Sequence, residues 1–131
     1  MSTGEPKFLT FNEVLYLHDE SVSRYGGAFG IRESGLVDSA LASARNEYLY
    51  RSGDIYDIAA TYAYHLAESQ PFLDGNKRTA IAVAISGLAL NGERISRDDG
   101  SVYRAMIEIA DKNLDKPGLA VVLKNWVKNN L

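Results

Sequence analysis

The sequence predicts an all-α fold, in which about six helices form a compact bundle around one buried central helix. Apolar residues recur at the three- and four-residue spacing of amphipathic helices, whereas the alternating pattern of strands is weak. The three prolines, Pro6, Pro71 and Pro117, stand where loops or helix starts are expected. About 46% of the 131 residues are apolar, which suffices for the core of a single domain over 1–131.

The first helix has the clearest start signal. Thr10 and Glu13 have the spacing of a capping box, in which each side chain accepts a bond from the other residue's backbone N–H. Gly26 and Gly27 are the expected stop of this helix. The loop 26–32 holds three glycines, so we expect it to turn sharply or to approach another segment closely.

The second helix is expected to begin after Ser34 and to run to about Tyr48, and the third to run from about 54 to 68. The Arg-Ser-Gly segment 51–53 separates the two. Pro71 ends the third pattern, because the residue before a proline avoids the helical region.

The fourth helix, from about 76 to 90, is apolar on nearly all sides and is therefore the predicted centre of the bundle. Asn91 and Gly92 are its expected C-terminal stop. Two further amphipathic helices, about 99–111 and 117–129, complete the bundle through short connections.

Composition excludes several classes of protein. The chain has no cysteine, which removes disulfides and thiolate metal sites. A net charge of −3 gives no general attraction to nucleic acid, so none is expected as a partner. No run of about 18 uncharged apolar residues is present, and the first residues lack a secretory pattern. We therefore expect a cytoplasmic protein without a membrane partner.

The segment 70–79, with the sequence QPFLDGNKRT, is the candidate functional site. It places the cations Lys77 and Arg78 in the first turn of a helix, where acidic residues are normally preferred. Helix N-termini bind anions through free backbone N–H groups, and Gly75 leaves room for a ligand to approach closely. Asp74 is a candidate ligand of Mg²⁺, which favours one or two carboxylates plus phosphate oxygens. Together these residues predict a phosphate site.

Two alternatives stay open at this segment. The amide of Asn76 can donate to a phosphate oxygen or fix the loop. A purely structural interpretation is also available, in which Asp74 or Asn76 only caps a buried helix after a Pro-Phe turn. That interpretation suits each residue alone, whereas the combination of two cations, a carboxylate and a glycine favours phosphate binding.

The segment Gln70-Pro71-Phe72-Leu73-Asp74-Gly75-Asn76-Lys77-Arg78 resembles the core motif of the Fic/Doc family, His-x-Phe-x-Asp/Glu-Gly/Ala-Asn-x-Arg. The resemblance extends to Leu17-His18-Asp19 and to Ser23-Arg24-Tyr25-Gly26-Gly27, which are similar to the N-terminal helix and glycine turn of the Doc branch. It covers most of the chain and implies a Fic/Doc-like helical bundle. One departure is evident, since Gln70 stands where the family carries its catalytic histidine.

The resemblance implies Mg-ATP as the ligand. Asp74 would hold Mg²⁺, Phe72 would be a packing anchor, and the phosphates would be gripped by the residues of the following helix start: Gly75, Asn76, Lys77 and Arg78. Adenylylating Fic enzymes usually have Gly where Lys77 stands and a second arginine where Ile81 stands. The resemblance to the Doc branch therefore implies phosphoryl transfer to a protein such as elongation factor Tu. It also implies a toxin that pairs with a cognate antitoxin.

Gln70 leaves the catalytic outcome open. The implied catalytic set is Gln70, Asp74 and Arg78, but an amide cannot act as a general base near neutral pH. Three interpretations fit: a weakened kinase, a catalytically silent binding protein, or a laboratory substitution that removes the toxicity of the chain. An adenylyltransferase is a further alternative. His65 is a poor replacement, because five helical residues place it about 140° around the helix from position 70. His18 is expected to pack or cap locally.

Overall fold

The computed structural model describes residues 4–95 and 100–129, with the side chain of Asn129 excepted. Its helices, in chain order, are α1 (Phe11–Tyr25), α2 (Ser34–Arg51), α3 (Ile55–Ser69), α4 (Asn76–Leu90), α5 (Ser101–Ala110) and α6 (Lys116–Asn129). The only β-type pairing in these ranges is an isolated antiparallel bridge between Ile31 and Phe72. The predicted all-α class is confirmed.

Local capping explains where α1 and α3 begin. The predicted capping box of Thr10 and Glu13 is present, with the Thr10 side chain accepting from the Glu13 N–H and the reciprocal bond also made. Asp54 and Asp57 form a second capping box at the start of α3. Gly26 ends α1 as predicted, and its N–H donates to the carbonyl of Val22 at 2.8 Å. Each cap satisfies helix-end groups that would otherwise lack partners.

The core lies around α3 and α4. Helix α4 packs against α1, α3 and α5, and its bounds match the predicted central helix. Helix α3 is equally central, because it packs against α2, α4, α5 and α6. Small residues let these helices approach: Ala59, Ala60 and Ala63 on α3 and Ala80 and Ala84 on α4 are fully buried.

The remaining helices close the bundle. Helix α5 contributes Val102, Met106 and Ile109 to the core, as the sequence pattern indicates. The predicted start of this helix near Asp99 lies outside the described residues. Helix α6 buries Leu119, Leu123 and Trp126 against the bundle. In the described part of the chain, no helix combines the length and apolar character needed to cross a membrane.

Tyr62 ties the segment before α1 to the core. Its side chain is 1% exposed, and its hydroxyl accepts a hydrogen bond from the Leu9 N–H at 2.8 Å. Burial raises the pKa of this hydroxyl, so it stays protonated at neutral pH. We expect Tyr62→Phe to lower the free energy of unfolding by about 1–3 kcal/mol, because it orphans a buried N–H. Urea unfolding measures this.

Tyr64→Phe is the matched control for that prediction. Tyr64 lies on the same helix, is half-buried, and its hydroxyl has no hydrogen-bond partner among the residues described. We expect Tyr64→Phe to change stability by less than about 0.5 kcal/mol. Equal unfolding midpoints for the two variants would show that the Leu9 bond contributes nothing.

Candidate active site at the start of helix α4

The N-terminus of α4 is open to a ligand. Gly75 occupies the N-cap with a φ of 75°, in the left-handed region, and no side chain caps this helix. The Thr79 N–H donates to the Gly75 carbonyl at 2.9 Å. Within the described ranges, the N–H groups of Asn76, Lys77 and Arg78 find no protein acceptor. Three such donors at the positive end of a helix dipole are an arrangement that suits an anion.

Among the described residues, the two cations of this turn have no carboxylate partner. Lys77 is half-buried, and neither it nor Arg78 makes an ion pair with any described side chain. The Arg78 guanidinium instead stacks over the Tyr25 ring, 3.9 Å from its centroid, and lies 5.2 Å from the centroid of Tyr103. Arg24, by contrast, pairs with Glu20 at 3.8 Å on the surface of α1. The predicted placement of Lys77 and Arg78 in the first turn of a helix is confirmed.

Arg78 also borders a groove between α1 and α4. The groove has a volume of about 670 Å³ and an apolar floor that includes Ile81 and Ile85. Tyr25 and Tyr103 also line this groove. Their rings contact the Arg78 guanidinium through its π face, and such contacts leave the N–H donors in the guanidinium plane available. No sequence pattern singles out Tyr103, which lies 25 residues further along the chain than Arg78.

Asp74 is held through its backbone and one carboxylate oxygen. Its side chain is exposed, and Oδ2 accepts a hydrogen bond from the Ala28 N–H at 3.2 Å. Gly27 makes this approach possible, because a Cβ there would lie 3.0 Å from Oδ2 and the residue has a φ of +112°. The prediction that the glycine loop approaches another segment closely is therefore confirmed. The second carboxylate oxygen remains available to a cation.

Asn76 fixes the loop in front of the helix. Its Oδ1 accepts from the Phe72 N–H at 2.9 Å, and its Nδ2 donates to the Phe72 carbonyl at 3.0 Å. Of the two roles left open by the sequence, the structure shows loop fixation. One Nδ2 hydrogen remains for an anion, because the amide carries two donors. Phe72 is 2% exposed and anchors the loop in the core, as expected.

His18 supports the loop between α3 and α4 from its buried side, a role that the sequence did not predict. Its imidazole is 2% exposed and stacks on the Phe72 ring, with centroids 3.9 Å apart and planes 7° apart. Nε2 donates to the Asp74 carbonyl at 2.8 Å, which requires the proton on that nitrogen. His18 packs, as expected, and its Nδ1 lies 3.9 Å from Oδ1 of the neighbouring Asp19, but its ring and its hydrogen bond engage residues more than 50 positions away. His18 thus fixes the carbonyl that precedes Gly75.

Comparison with known proteins agrees with this geometry. The model of the Fic/DOC family matches residues 8–88. The chain is 33% identical over 84 residues to the protein kinase doc of Escherichia phage P1, covering 63% of this chain and 67% of that protein. It is 36% identical over 109 residues to toxin Doc of Mycolicibacterium smegmatis, covering 78% of this chain and 82% of that protein. The chain belongs to the Fic/Doc family.

Gln70, which the resemblance aligns with the Fic/Doc histidine, is the C-cap of α3. It has a φ of 52° and a ψ of 63°, a left-handed conformation that few non-glycine residues adopt. Its side chain is exposed and makes no hydrogen bond to any residue that the structure describes. Residue 70 therefore has a fixed backbone and a free side chain, directly before the loop that leads to Asp74.

His65 stands apart from this Fic/Doc site. Its ring lies edge-on to Tyr64, with centroids 5.5 Å apart, and its carbonyl accepts from the Ser69 hydroxyl. Burial and the Lys116 ammonium lower its pKa. None of these partners belongs to the 70–79 segment. The structure thus offers no contact through which His65 could replace the missing base.

Proposed function

We propose that this Fic/Doc protein is a Doc-type toxin of a bacterial toxin–antitoxin module, transferring phosphate from Mg-ATP to a hydroxyl of a protein target. The observation that carries the proposal is the uncapped N-terminus of α4, where, among the described residues, three N–H groups have no protein acceptor and two cations have no carboxylate partner. The names of the relatives, a protein kinase and a toxin, support the same activity. The proposed site residues are Gln70, Asp74, Gly75, Asn76, Lys77 and Arg78.

Each proposed phosphate ligand has a separate task. The N–H groups of the first turn donate to the phosphate oxygens, and Gly75 keeps the approach unobstructed. Lys77 supplies a point charge from a half-buried position, and Arg78 supplies a planar pair of donors held by aromatic contacts. Asn76 keeps the loop in shape and has one hydrogen to spare.

The residues also fit Mg²⁺. Asp74 offers one exposed carboxylate beside the anion site, and no group of three or more potential ligand side chains occurs in the described ranges. Mg²⁺ is commonly held by one or two carboxylates, with phosphate oxygens and water completing its coordination. Bound there, Mg²⁺ would neutralise phosphate charge.

The reaction joins the target hydroxyl oxygen to the γ-phosphorus and breaks the bond between that phosphorus and the β–γ bridging oxygen, releasing ADP. The hydroxyl proton passes to solvent water, because Gln70 has no basicity to accept it. Phosphoryl transfer through a loose transition state depends mostly on positioning and charge, both of which the α4 turn supplies. We therefore propose a slow kinase in which Gln70 orients the attacking hydroxyl.

The proposed macromolecular partners are a protein substrate such as elongation factor Tu and a cognate antitoxin.

A specific observation favours one competing function, a catalytically silent protein that binds nucleotide or a partner. Among the described residues, no base contacts Gln70, since His65 contacts other residues and His18 is buried against Phe72. Only a measurement of transfer separates the two functions.

The test uses ATP labelled at the γ- or the α-phosphate, with elongation factor Tu as acceptor and Asp74→Ala as the paired variant. We expect γ-label on the acceptor, reduced by about 10²-fold or more in Asp74→Ala. Growth arrest on expression, abolished by the same substitution, should accompany it. Transfer of α-label would indicate an adenylyltransferase, and nucleotide binding without transfer would indicate the silent binding protein.

A further inference from the structure

Arg32 makes a set of contacts that the proposed chemistry does not use. It lies in the loop after α1, and its guanidinium reaches the C-terminal end of α3. Nη2 donates to the Ser69 carbonyl at 3.0 Å and also to the Gln70 carbonyl, which accepts a further bond from Nε at 3.2 Å. A cation that covers the last carbonyls of a helix is favoured by the helix dipole.

The backbone of the same loop pairs with the segment after Gln70. The Arg32 N–H and the Glu33 N–H both donate to the Pro71 carbonyl, at 2.7 and 3.0 Å. The Leu73 N–H donates to the Gly30 carbonyl at 3.1 Å, next to the bridge between Ile31 and Phe72. Residues 30–33 therefore hold residues 69–73 from both backbone and side chain.

This support acts on an unfavourable conformation. Gln70 is left-handed at φ 52°, although the residue before a proline prefers the extended region. Such a residue persists only where its surroundings hold it in place. The Gln70 carbonyl is the group that would swing away if the residue relaxed, and it is the group that Arg32 holds with two donors.

We propose that Arg32 is a positioning residue for residue 70. Its guanidinium fixes the Gln70 carbonyl, maintains the left-handed backbone, and so sets where the side chain at position 70 stands relative to the Asp74–Arg78 turn. The catalytic part of this inference rests on the proposed function, whereas the conformational part does not.

The catalytic test is a double-mutant cycle on the rate of γ-phosphate transfer, with Arg32→Ala made in the unaltered chain and in a Gln70→His variant. A positioning role makes the loss larger where residue 70 carries a base. We expect about 10- to 10²-fold lower kcat in the Gln70→His background, with KM for ATP unchanged, and less than about threefold loss in the unaltered chain. A structural role would lower both rates equally, and equal losses would overturn the proposal.

A conformational test separates this inference from the proposed function. Residues with positive φ give an intense intraresidue NOE between the amide proton and Hα. We expect that NOE at Gln70 in the unaltered chain and a clear loss of intensity in Arg32→Ala. An unchanged NOE in Arg32→Ala would overturn the proposal even if transfer were never detected.

Two variants keep the test decisive. Arg32→Lys retains a charge at the end of α3 but cannot place two donors on one carbonyl, so it should show the same effects at smaller amplitude. It carries both measurements if Arg32→Ala does not fold. Arg51→Ala is the control: it removes a different exposed arginine, which lies in the last turn of α2, and should leave the rate and the NOE unchanged.

Discussion

Gln70→His is expected to raise the rate of phosphate transfer by about 10²–10⁴, the usual contribution of a positioned general base. The backbone already favours this exchange, because Gln70 is left-handed and histidine is enriched among residues with positive φ. The side chain is exposed and makes no described hydrogen bond, so no described contact that stabilises the fold is lost when it is replaced. We therefore expect a large change in rate with little change in stability.

Gln70→Asn is the matched control for this substitution. Asparagine also tolerates positive φ but, like glutamine, has no basicity. We expect Gln70→Asn to transfer phosphate as slowly as the unaltered chain. A rate increase shared by both variants would mean that backbone relaxation, and not proton abstraction, limits the reaction.

The pH profile identifies the base independently. In Gln70→His, kcat should increase with pH across the titration of the imidazole, whose ordinary pKa is about 6.5, because only the neutral ring accepts a proton. The unaltered chain should show no such step. If Gln70→His neither raises the rate nor adds the step, residue 70 does not occupy the position of the base.

The helices were predictable because their signals are local. The capping box of Thr10 and Glu13 and the apolar run of α4 each lie within a few turns of chain, and both are observed as predicted. The proposed anion site at the α4 turn rests on an equally local pattern, a glycine and two cations at a helix start.

The supporting contacts of the site were not predictable, because they join distant segments. His18 lies 56 residues from the Asp74 carbonyl that it holds, and Arg32 lies 38 residues from Gln70. Neither residue type signals its partner, since a histidine on a helix and an arginine in a loop occur in many surroundings. Only the packing of α1 against α4, and of the glycine loop against the 70–73 segment, brings them together.

Arg78→Ala is expected to lower phosphate transfer by about 10²–10³, the cost of losing one fixed donor to transition-state charge. Two aromatic rings hold the guanidinium, at 3.9 Å from the centroid of Tyr25 and 5.2 Å from that of Tyr103, so little order remains to be gained on binding. Arg78→Lys should recover only part of the rate, because an ammonium lacks the planar fork. Single-turnover transfer of γ-label measures both.

The magnitudes distinguish a catalytic loss from a structural one. An exposed cation–π contact contributes about 0.5–1 kcal/mol, so Arg78→Ala, which removes the contacts with Tyr25 and Tyr103, should lower stability by no more than about 2 kcal/mol. A loss of 10²–10³ in rate corresponds to about 3–4 kcal/mol, which the ring contacts alone cannot supply. Arg24→Ala is the control, because Arg24 borders the same groove but pairs with Glu20 at 3.8 Å. If Arg24→Ala and Arg78→Ala reduce transfer equally, the groove acts through its overall charge and the α4 turn is not a phosphate site.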